Sequence, residues 1–291
     1  MPSLPDLLQF AFSGLTSGAI YALIALGFGV VHNTMGIVNF AQGDFITLGG
    51  MMAYTVLHAF GMPMPAALLG SVAGVTLLAM ALERVTLRVS RSQNPMILIF
   101  LTIGASVALR GGIKLLWGKN PLALPPLGGE EPFTVLGATV MPQALWIFGL
   151  TAATVAGLLA FFRLTRAGLA VRAVADNPQA AAVVGLRVGS LKALSFGLAG
   201  AVGGLAGVLV TPITTLSFDV GVLLGLKGFA AAILGGFGSF PGAVLGGLAL
   251  GLLEALAAAF VSSSYKDVMA FGVLLAVLFL RPQGLLGKEE A

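Results

Sequence analysis

The sequence predicts an all-α protein that crosses a membrane about nine times. Of its 291 residues, 58% are hydrophobic and 9% are charged, and the mean hydropathy is +1.03. Because an ordinary soluble domain has roughly 25% charged residues, the composition indicates a polytopic integral membrane protein. The basic residues lie between apolar runs, as membrane anchors do, which argues against nucleic-acid binding.

Nine apolar runs support this prediction, most of them near the length that a helix needs to cross the hydrocarbon core. We interpret residues 1–291 as one transmembrane domain. The predicted spans are 7–31, 45–60, 65–82, 96–117, 142–162, 191–211, 222–236, 243–261 and 267–280. If the short seventh run is re-entrant the count changes, so we expect about eight to ten spans.

The first run is predicted to be a retained span, because Asp6 and no basic residue precede it, unlike the start of a signal peptide. After it, residues 32–45 carry several polar side chains and no Lys or Arg. Two interpretations remain open for this segment. It is either a short polar turn between spans or a broken backbone that faces a polar cavity, where irregular backbone is tolerated at membrane depth.

The basic residues also predict the orientation of the chain. Ten of the fifteen Lys and Arg residues lie in segments 83–95, 163–192 and 281–291, which the positive-inside rule places in the cytoplasm. Segment 118–141 is rich in Pro and Gly and carries two Glu residues, so we expect it to be an external loop. With nine spans, these assignments give an external N-terminus and a cytoplasmic C-terminus.

Several ionisable residues fall inside predicted spans. Arg110 and Lys114 are four residues apart and share a helical face, and we expect both to snorkel toward the nearer interface. Lys227 and Glu254 lie at similar distances from the turn near Ser239, so they reach similar depths on antiparallel helices. Since an unpaired charge is costly in a membrane, we interpret them as a candidate intramembrane ion pair.

The sequence predicts no catalytic residue and no metal site. It contains no cysteine, and its two histidines, His32 and His58, are isolated and form no H-E-x-x-H pattern. We therefore expect no enzymatic activity and no cofactor. The chain also lacks the G-x-x-x-x-G-K-[ST] motif that cradles nucleotide phosphates. The energy for any transport would then come from an ion gradient or from another subunit.

The segment 163–192 contains a predicted short helix outside the membrane. Asn177 suits the helix cap, Pro178 suits the first turn, and the helix is expected to end at Gly185. From these residues alone, two interpretations stay open. The helix either docks in a groove on a partner protein or lies on the headgroups of membrane lipids.

Three segments together resemble, in the same order along the chain, the permease subunits of bacterial ABC importers for branched-chain amino acids, the LivH-like permeases. They are 38–45 (VNFAQGDF), 172–188 (RAVADNPQAAAVVGLRV) and 230–247 (AAAILGGFGSFPGAVLGG). The second has the basic residue, the Asn-Pro pair, the Gln-Ala-Ala helix and the glycine of the cytoplasmic loop in that family. Gln179 stands where an acidic residue is found in the Glu-Ala-Ala form of the pattern, so this chain lacks that charge.

The resemblance implies a permease that carries branched-chain amino acids across the bacterial inner membrane. It implies as partners two ATPase subunits, a second permease that is identical or related, and a periplasmic substrate-binding protein. The implied ATPase-coupling residues are Arg172, Asn177, Pro178, Gln179, Ala180, Ala181, Gly185 and Arg187. Candidate residues of a substrate path, for which a structural role is an equal alternative, are Asn39, Gln42, Asp44, Thr211, Thr214 and Thr215.

Three other functions remain open at this point. The same machinery could carry another solute, such as urea, a short amide or a sugar. The chain could instead be an autonomous secondary carrier or channel, which would need no ATPase. Finally, it could be a structural subunit that carries no solute.

Overall fold

Long apolar helices make up most of the chain in the computed structural model, which describes residues 3–90, 92, 94–135, 137–262, 265–281 and 283–286. The helices are α1 (Leu4–Met35), α2 (Gln42–His58), α3 (Met64–Leu82), α4 (Arg88–Ser90), α5 (Pro95–Trp117), α6 (Pro142–Leu164), α7 (Arg166–Asp176), α8 (Pro178–Val183), α9 (Val188–Val210), α10 (Val220–Gly235), α11 (Phe240–Phe260) and α12 (Lys266–Leu280). Arg91 and Lys288, which contributed to the predicted orientation, lie outside the described residues.

The predicted all-α membrane class is confirmed, and one helix lies in each of the nine predicted runs. Within the described residues, six helices are long and apolar enough to cross a membrane: α1, α3 with its extension to Ser90, α5, α6, α9 and α11. The helices α2, α10 and α12 have 17, 16 and 15 residues. The number of spans and the orientation therefore stay predictions.

Two local features were not predicted. The helix α3 continues through a π-helical turn, Glu83–Leu87, into α4, where the sequence suggested a loop from residue 83. No proline or glycine interrupts the chain there before Pro95, so the helix can continue. In segment 118–141, strands β1 (Phe133–Val135) and β2 (Ala138–Val140) form an antiparallel hairpin.

The connections between helices lie at two opposite ends of the protein. At one end, Thr139 donates a backbone hydrogen bond to Oε1 of Gln9, at 2.7 Å, and Leu122 forms a backbone bridge with Leu216. At the other end, Asn33 donates to the carbonyl of Gly238 at 2.7 Å. The start of α1 thus contacts segment 118–141, and both are predicted to lie on the external side.

The packing relates α1–α3 to α9–α11 as an inverted repeat. The helix α1 packs on α11 and α10, and α9 packs in the same way on α3 and α2. The two units run in opposite directions, because Thr34 near the end of α1 contacts Ser195 near the start of α9, with 2.9 Å between the hydroxyl oxygens. The sequence alone gave no visible repeat, since the two halves share the arrangement of helices and little of the residue pattern.

Glycines let the central helices approach at backbone distance. A Cβ atom added to Gly43 on α2 would overlap the carbonyl of Gly221 on α10, and one added to Gly221 would overlap the carbonyl of Gly43. Between α1 and α11, Gly18 and Gly251 are in the same kind of backbone contact. Lipid provides no hydrophobic drive for helices to associate, so the helices must pack closely. Such close crossings require small residues.

The C-terminal segment covers the end of α10. The backbone N–H groups of Leu285 and Leu286 donate to the carbonyls of Leu234 and Gly235, at 2.9 and 3.0 Å. Gly284 has a φ of 76° and lies against the backbone of Gly236. Carbonyls that would have no partner inside the helix are satisfied in this way.

The crossing of α2 and α10 predicts the effect of a single methyl group. We expect Gly43→Ala to destabilise the protein by about 1–3 kcal/mol, because the backbone of Gly221 has no room to move away. The measurement is thermal unfolding of the purified protein in detergent. Gly111→Ala on α5 is the control, since a Cβ there meets nothing within 4 Å. Equal stability of the two variants would contradict this account.

Candidate functional site

A cavity of about 210 Å³ lies near the middle of the fold, between α1, α2, α5 and α10. Most of its wall is apolar, and three phenylalanine rings contribute: Phe28 and Phe40 each lie beside Phe229, with ring centroids 5.7 and 6.1 Å from it. The residues that line it are Phe28, Phe40, Gly43, Asp44, Ile103, Ser106, Arg110, Val222, Gly225, Leu226 and Phe229.

Two opposite charges face each other in this cavity. Asp44 lies in the first turn of α2, where the helix dipole favours a negative charge, and its side chain is 1% exposed. Its Oδ1 atom is 3.4 Å from Nε of Arg110 on α5. The Nη2 group of Arg110 donates to Oγ of Ser106 at 3.2 Å.

The snorkelling predicted for Arg110 is therefore wrong, because its guanidinium turns to a carboxylate on a neighbouring helix. Lys114, one turn further along α5, is exposed and lies over the ring of Phe218 at 5.2 Å. Position along a single helix could not separate these two residues. The signal that could have done so is Asp44, an acidic residue flanked by apolar sequence that needed a partner.

The other candidate path residues have different surroundings. Asn39 accepts a hydrogen bond from the backbone N–H of Ala41, Gln42 donates to the carbonyl of Ala199, and Thr211 donates to the carbonyl of Gly207. All three are buried and support the backbone. Among the six candidates, Asp44 is the residue that lines the central cavity, while Thr214 and Thr215 line a second one.

The second cavity has about 400 Å³ and contains the predicted pair of Lys227 and Glu254. The structure brings the two side chains into contact as a salt bridge, each 8% exposed. Tyr21 of α1 donates to Oε2 of Glu254 at 2.6 Å. Oδ1 of Asp267 on α12 lies 2.7 Å from Nζ of Lys227. The pair is thus part of a network that joins α1, α10, α11 and α12. No sequence pattern predicted that Tyr21 belongs to it.

The predicted helix in segment 163–192 is α8, preceded by α7. Oδ1 of Asn177 caps α8 by accepting from the N–H groups of Gln179 and Ala180, at 3.0 and 2.9 Å, and Gly185 follows the helix with a φ of 88°. The side chains of Arg172, Asn177, Pro178, Gln179, Ala180 and Arg187 are exposed.

Ala181 differs from the other predicted coupling residues, because it is 3% exposed and packs against its own protein. Two valines at the end of the helix have the opposite environment. Val183 is 88% exposed and Val184 is 76% exposed. Any partner that docks here would meet these valines and not Ala181.

Sequence comparison identifies the family. The chain matches the family described as the permease component of the branched-chain amino acid transport system, over residues 10–278. The chain belongs to this family. Because members of this family are permease components, the chain is not an enzyme. Within the described residues, no group of three or more His, Cys, Asp or Glu side chains could hold a metal ion.

Curated relatives match the permease over almost its whole length. It is 34% identical to the high-affinity branched-chain amino acid transport system permease protein LivH of Escherichia coli K12, over 97% of this chain and 96% of that protein. It is 35% identical to the corresponding protein BraD of Pseudomonas aeruginosa, over 100% and 99%. A more distant relative, 24% identical over 98% and 96%, is the guanosine ABC transporter permease protein NupQ of Bacillus subtilis.

A solved structure has the same fold. It is PsaBC from Streptococcus pneumoniae in complex with a Fab, and it superimposes with a TM-score of 0.53 over 93% of the permease and 91% of that chain. The sequences are 15% identical. At this distance the likeness concerns the fold alone.

The network around Lys227 predicts strong coupling between two substitutions. We expect Lys227→Met to destabilise the permease by about 3–5 kcal/mol, since it leaves Glu254 without a counter-charge. Glu254→Gln should cost less, because Asp267 remains beside Lys227. The double variant should lose clearly less stability than the sum of the losses of the two single variants. Thermal unfolding of the four proteins measures this. As a control, Lys227→Met with Asp219→Asn should be additive, because Asp219 accepts a bond from Ser217 and is exposed. Additive losses for the first pair would contradict the pairing.

Proposed function

We propose that this permease is the membrane subunit of an ABC importer that moves branched-chain amino acids into the cell across the bacterial inner membrane. The similarity to LivH and BraD at 34–35% identity over nearly the full length carries the proposal. The chain has no P-loop of its own. Its proposed partners are two ATPase subunits, a second permease that is identical or related, and a periplasmic binding protein.

We place segment 163–192 on the cytoplasmic side, where α8 docks on an ATPase subunit. Three features support this role. The side chain of Asn177 fixes the start of α8, Val183 and Val184 present an exposed apolar surface, and Arg172 and Arg187 flank it. A short rigid helix of this kind transmits a rigid-body movement, provided that each ATPase state favours one conformation of the permease.

A second candidate is the same machinery with another solute. The similarity to a guanosine transporter permease favours it, because that relative shares the full length of the chain at 24% identity. Urea, short amides and sugars belong to the same alternative. The substrate class is therefore what a transport assay must decide.

Reconstitution of the complete transporter in liposomes tests the proposed function. We expect labelled leucine, isoleucine and valine to accumulate only when ATP and the binding protein are present. The control is the permease alone with an ion gradient, which should give no uptake. Uptake by the permease alone would indicate a secondary carrier. ATP hydrolysis that no solute stimulates would indicate a structural subunit.

The docking surface predicts the effect of charge at the end of α8. We expect Val183→Asp with Val184→Asp to leave the permease inserted but to reduce ATP-dependent uptake about tenfold or more, because a buried apolar contact would receive unpaired carboxylates. Co-purification of the ATPase subunits measures the docking directly. Val261→Asp, at an exposed valine after the far end of α11, is the control. Undiminished uptake and co-purification would instead favour a helix that lies on lipid.

A further inference from the structure

The central cavity has the chemistry to recognise an amino acid by both of its backbone charges. We propose that it binds the zwitterion of an apolar amino acid during transport. Asp44 binds the α-ammonium group and Arg110 binds the α-carboxylate. The rings of Phe28, Phe40 and Phe229 surround the apolar side chain. This inference rests on the proposed function and adds to it a binding site within the permease.

The spacing of the two protein charges fits such a ligand. In an amino acid the ammonium and carboxylate groups are bonded to the same carbon, so their counter-charges must lie close to each other. Oδ1 of Asp44 and Nε of Arg110 are 3.4 Å apart and come from different helices, α2 and α5. A small separation of these helices would let the ligand insert between the two charges, each of which would keep an opposite charge as its neighbour.

Asp44 retains hydrogen-bonding capacity that a ligand can use. Its side chain is 1% exposed, and neither carboxylate oxygen accepts a hydrogen bond of good geometry from the described residues. A buried carboxylate without donors is costly. An ammonium group would bring three donors to a carboxylate that, among the described residues, has only Arg110 at 3.4 Å and the hydroxyl of Ser106 beside it.

Arg110 can serve the carboxylate in the same way. A guanidinium has five N–H donors in a planar fork that matches the two oxygens of a carboxylate. Within the described residues, the hydrogen bonds of Arg110 go to the carbonyl and hydroxyl oxygens of Ser106, from Nε and Nη2. Donors therefore remain for a ligand.

The rest of the wall selects the side chain of the ligand. Apart from Asp44, Ser106 and Arg110, every residue that lines the cavity is apolar. Its volume of about 210 Å³ is below the roughly 300–1,000 Å³ of pockets for drug-sized ligands. A polar side chain would lose its water here without finding a partner. The cavity therefore favours small apolar amino acids.

The cavity has an opening on one side. Phe40, Ile103 and Leu226 are each partly exposed, so its mouth opens on the surface between α5 and α10. At its floor, a Cβ atom on Gly225 would come within 3.0 Å of the Cα atom of Gly43. The same close crossing that holds α2 on α10 thus keeps the floor of the cavity free of side chains.

An uncharged solute does not match this arrangement. Urea, an amide or a nucleoside has no charge to offer either Asp44 or Arg110, so separation of the two would leave both without a counter-charge. That would be unfavourable in a site with little access to water. The ion pair therefore distinguishes a zwitterion from the solutes of the alternative proposal.

Transport by the reconstituted complete importer tests the site. The variants are Asp44→Asn, Arg110→Gln, the two combined, and the charge exchange Asp44→Arg with Arg110→Asp. Lys114→Gln removes a positive charge from the same helix, outside the cavity, and is the control. The readouts are thermal stability, basal ATP hydrolysis, leucine uptake, and competition by 4-methylpentanoate and 3-methylbutylamine, which each lack one charge of leucine.

We expect each single variant to lower leucine uptake about tenfold or more at subsaturating substrate, with Lys114→Gln unchanged. Asp44→Asn should admit 4-methylpentanoate as a competitor, and Arg110→Gln should admit the amine. The neutral double variant should not restore uptake, because it offers no counter-charge to either end of the zwitterion, and the charge exchange should not restore it either.

Recovery of uptake in the charge exchange, or uptake at the normal level in the neutral double variant, would overturn the proposal and indicate a structural ion pair. The proposed function fails separately. If the importer carries another apolar amino acid and responds to these variants in the same way, the proposed site stands and only the proposed substrate is wrong. An importer that carries only uncharged solutes would overturn both.

Discussion

The close approach of helix backbones at glycine is the constraint on which the rest of this structure depends. In lipid no hydrophobic force drives helices together, so contact area must come from backbones that touch. Gly43 and Gly221 hold α2 on α10, and Gly18 and Gly251 hold α1 on α11. These contacts bury the short helices α2 and α10 in the centre. The charges that those helices carry, Asp44 and Lys227, are thereby buried inside the protein.

The sequence predicted the local features well and the long-range features poorly. The helix after Asn177 was predictable because a cap, a proline and a terminal glycine lie within a few residues of one another. The nine long helices were predictable because each coincides with an apolar run of the sequence. The pairing of Asp44 with Arg110 and the bond from Tyr21 to Glu254 join distant parts of the chain. No local pattern encodes such contacts. The inward direction of Ala181 likewise depends on tertiary packing.

The two buried charge clusters have different physical characters. Around Lys227, both oxygens of Glu254 have partners, and four helices contribute to one network. Such a network holds the four helices in a fixed arrangement, since buried charges that have their partners resist separation. Around Asp44, the charges are close, with Nε of Arg110 at 3.4 Å, but neither carboxylate oxygen accepts a hydrogen bond of good geometry from the described residues. An incomplete site is suited to reversible binding, because a ligand supplies what the protein leaves out.

The C-terminal segment has a practical consequence for anyone who shortens or labels this chain. Leu285 and Leu286 continue the hydrogen bonding at the end of α10, much as an added strand completes a sheet. A protease cut or a truncation at Arg281 would free the carbonyls of Leu234 and Gly235 and let the last turn of α10 unwind. An affinity tag therefore belongs beyond Leu286, with a linker that lets Gly284 keep its positive φ.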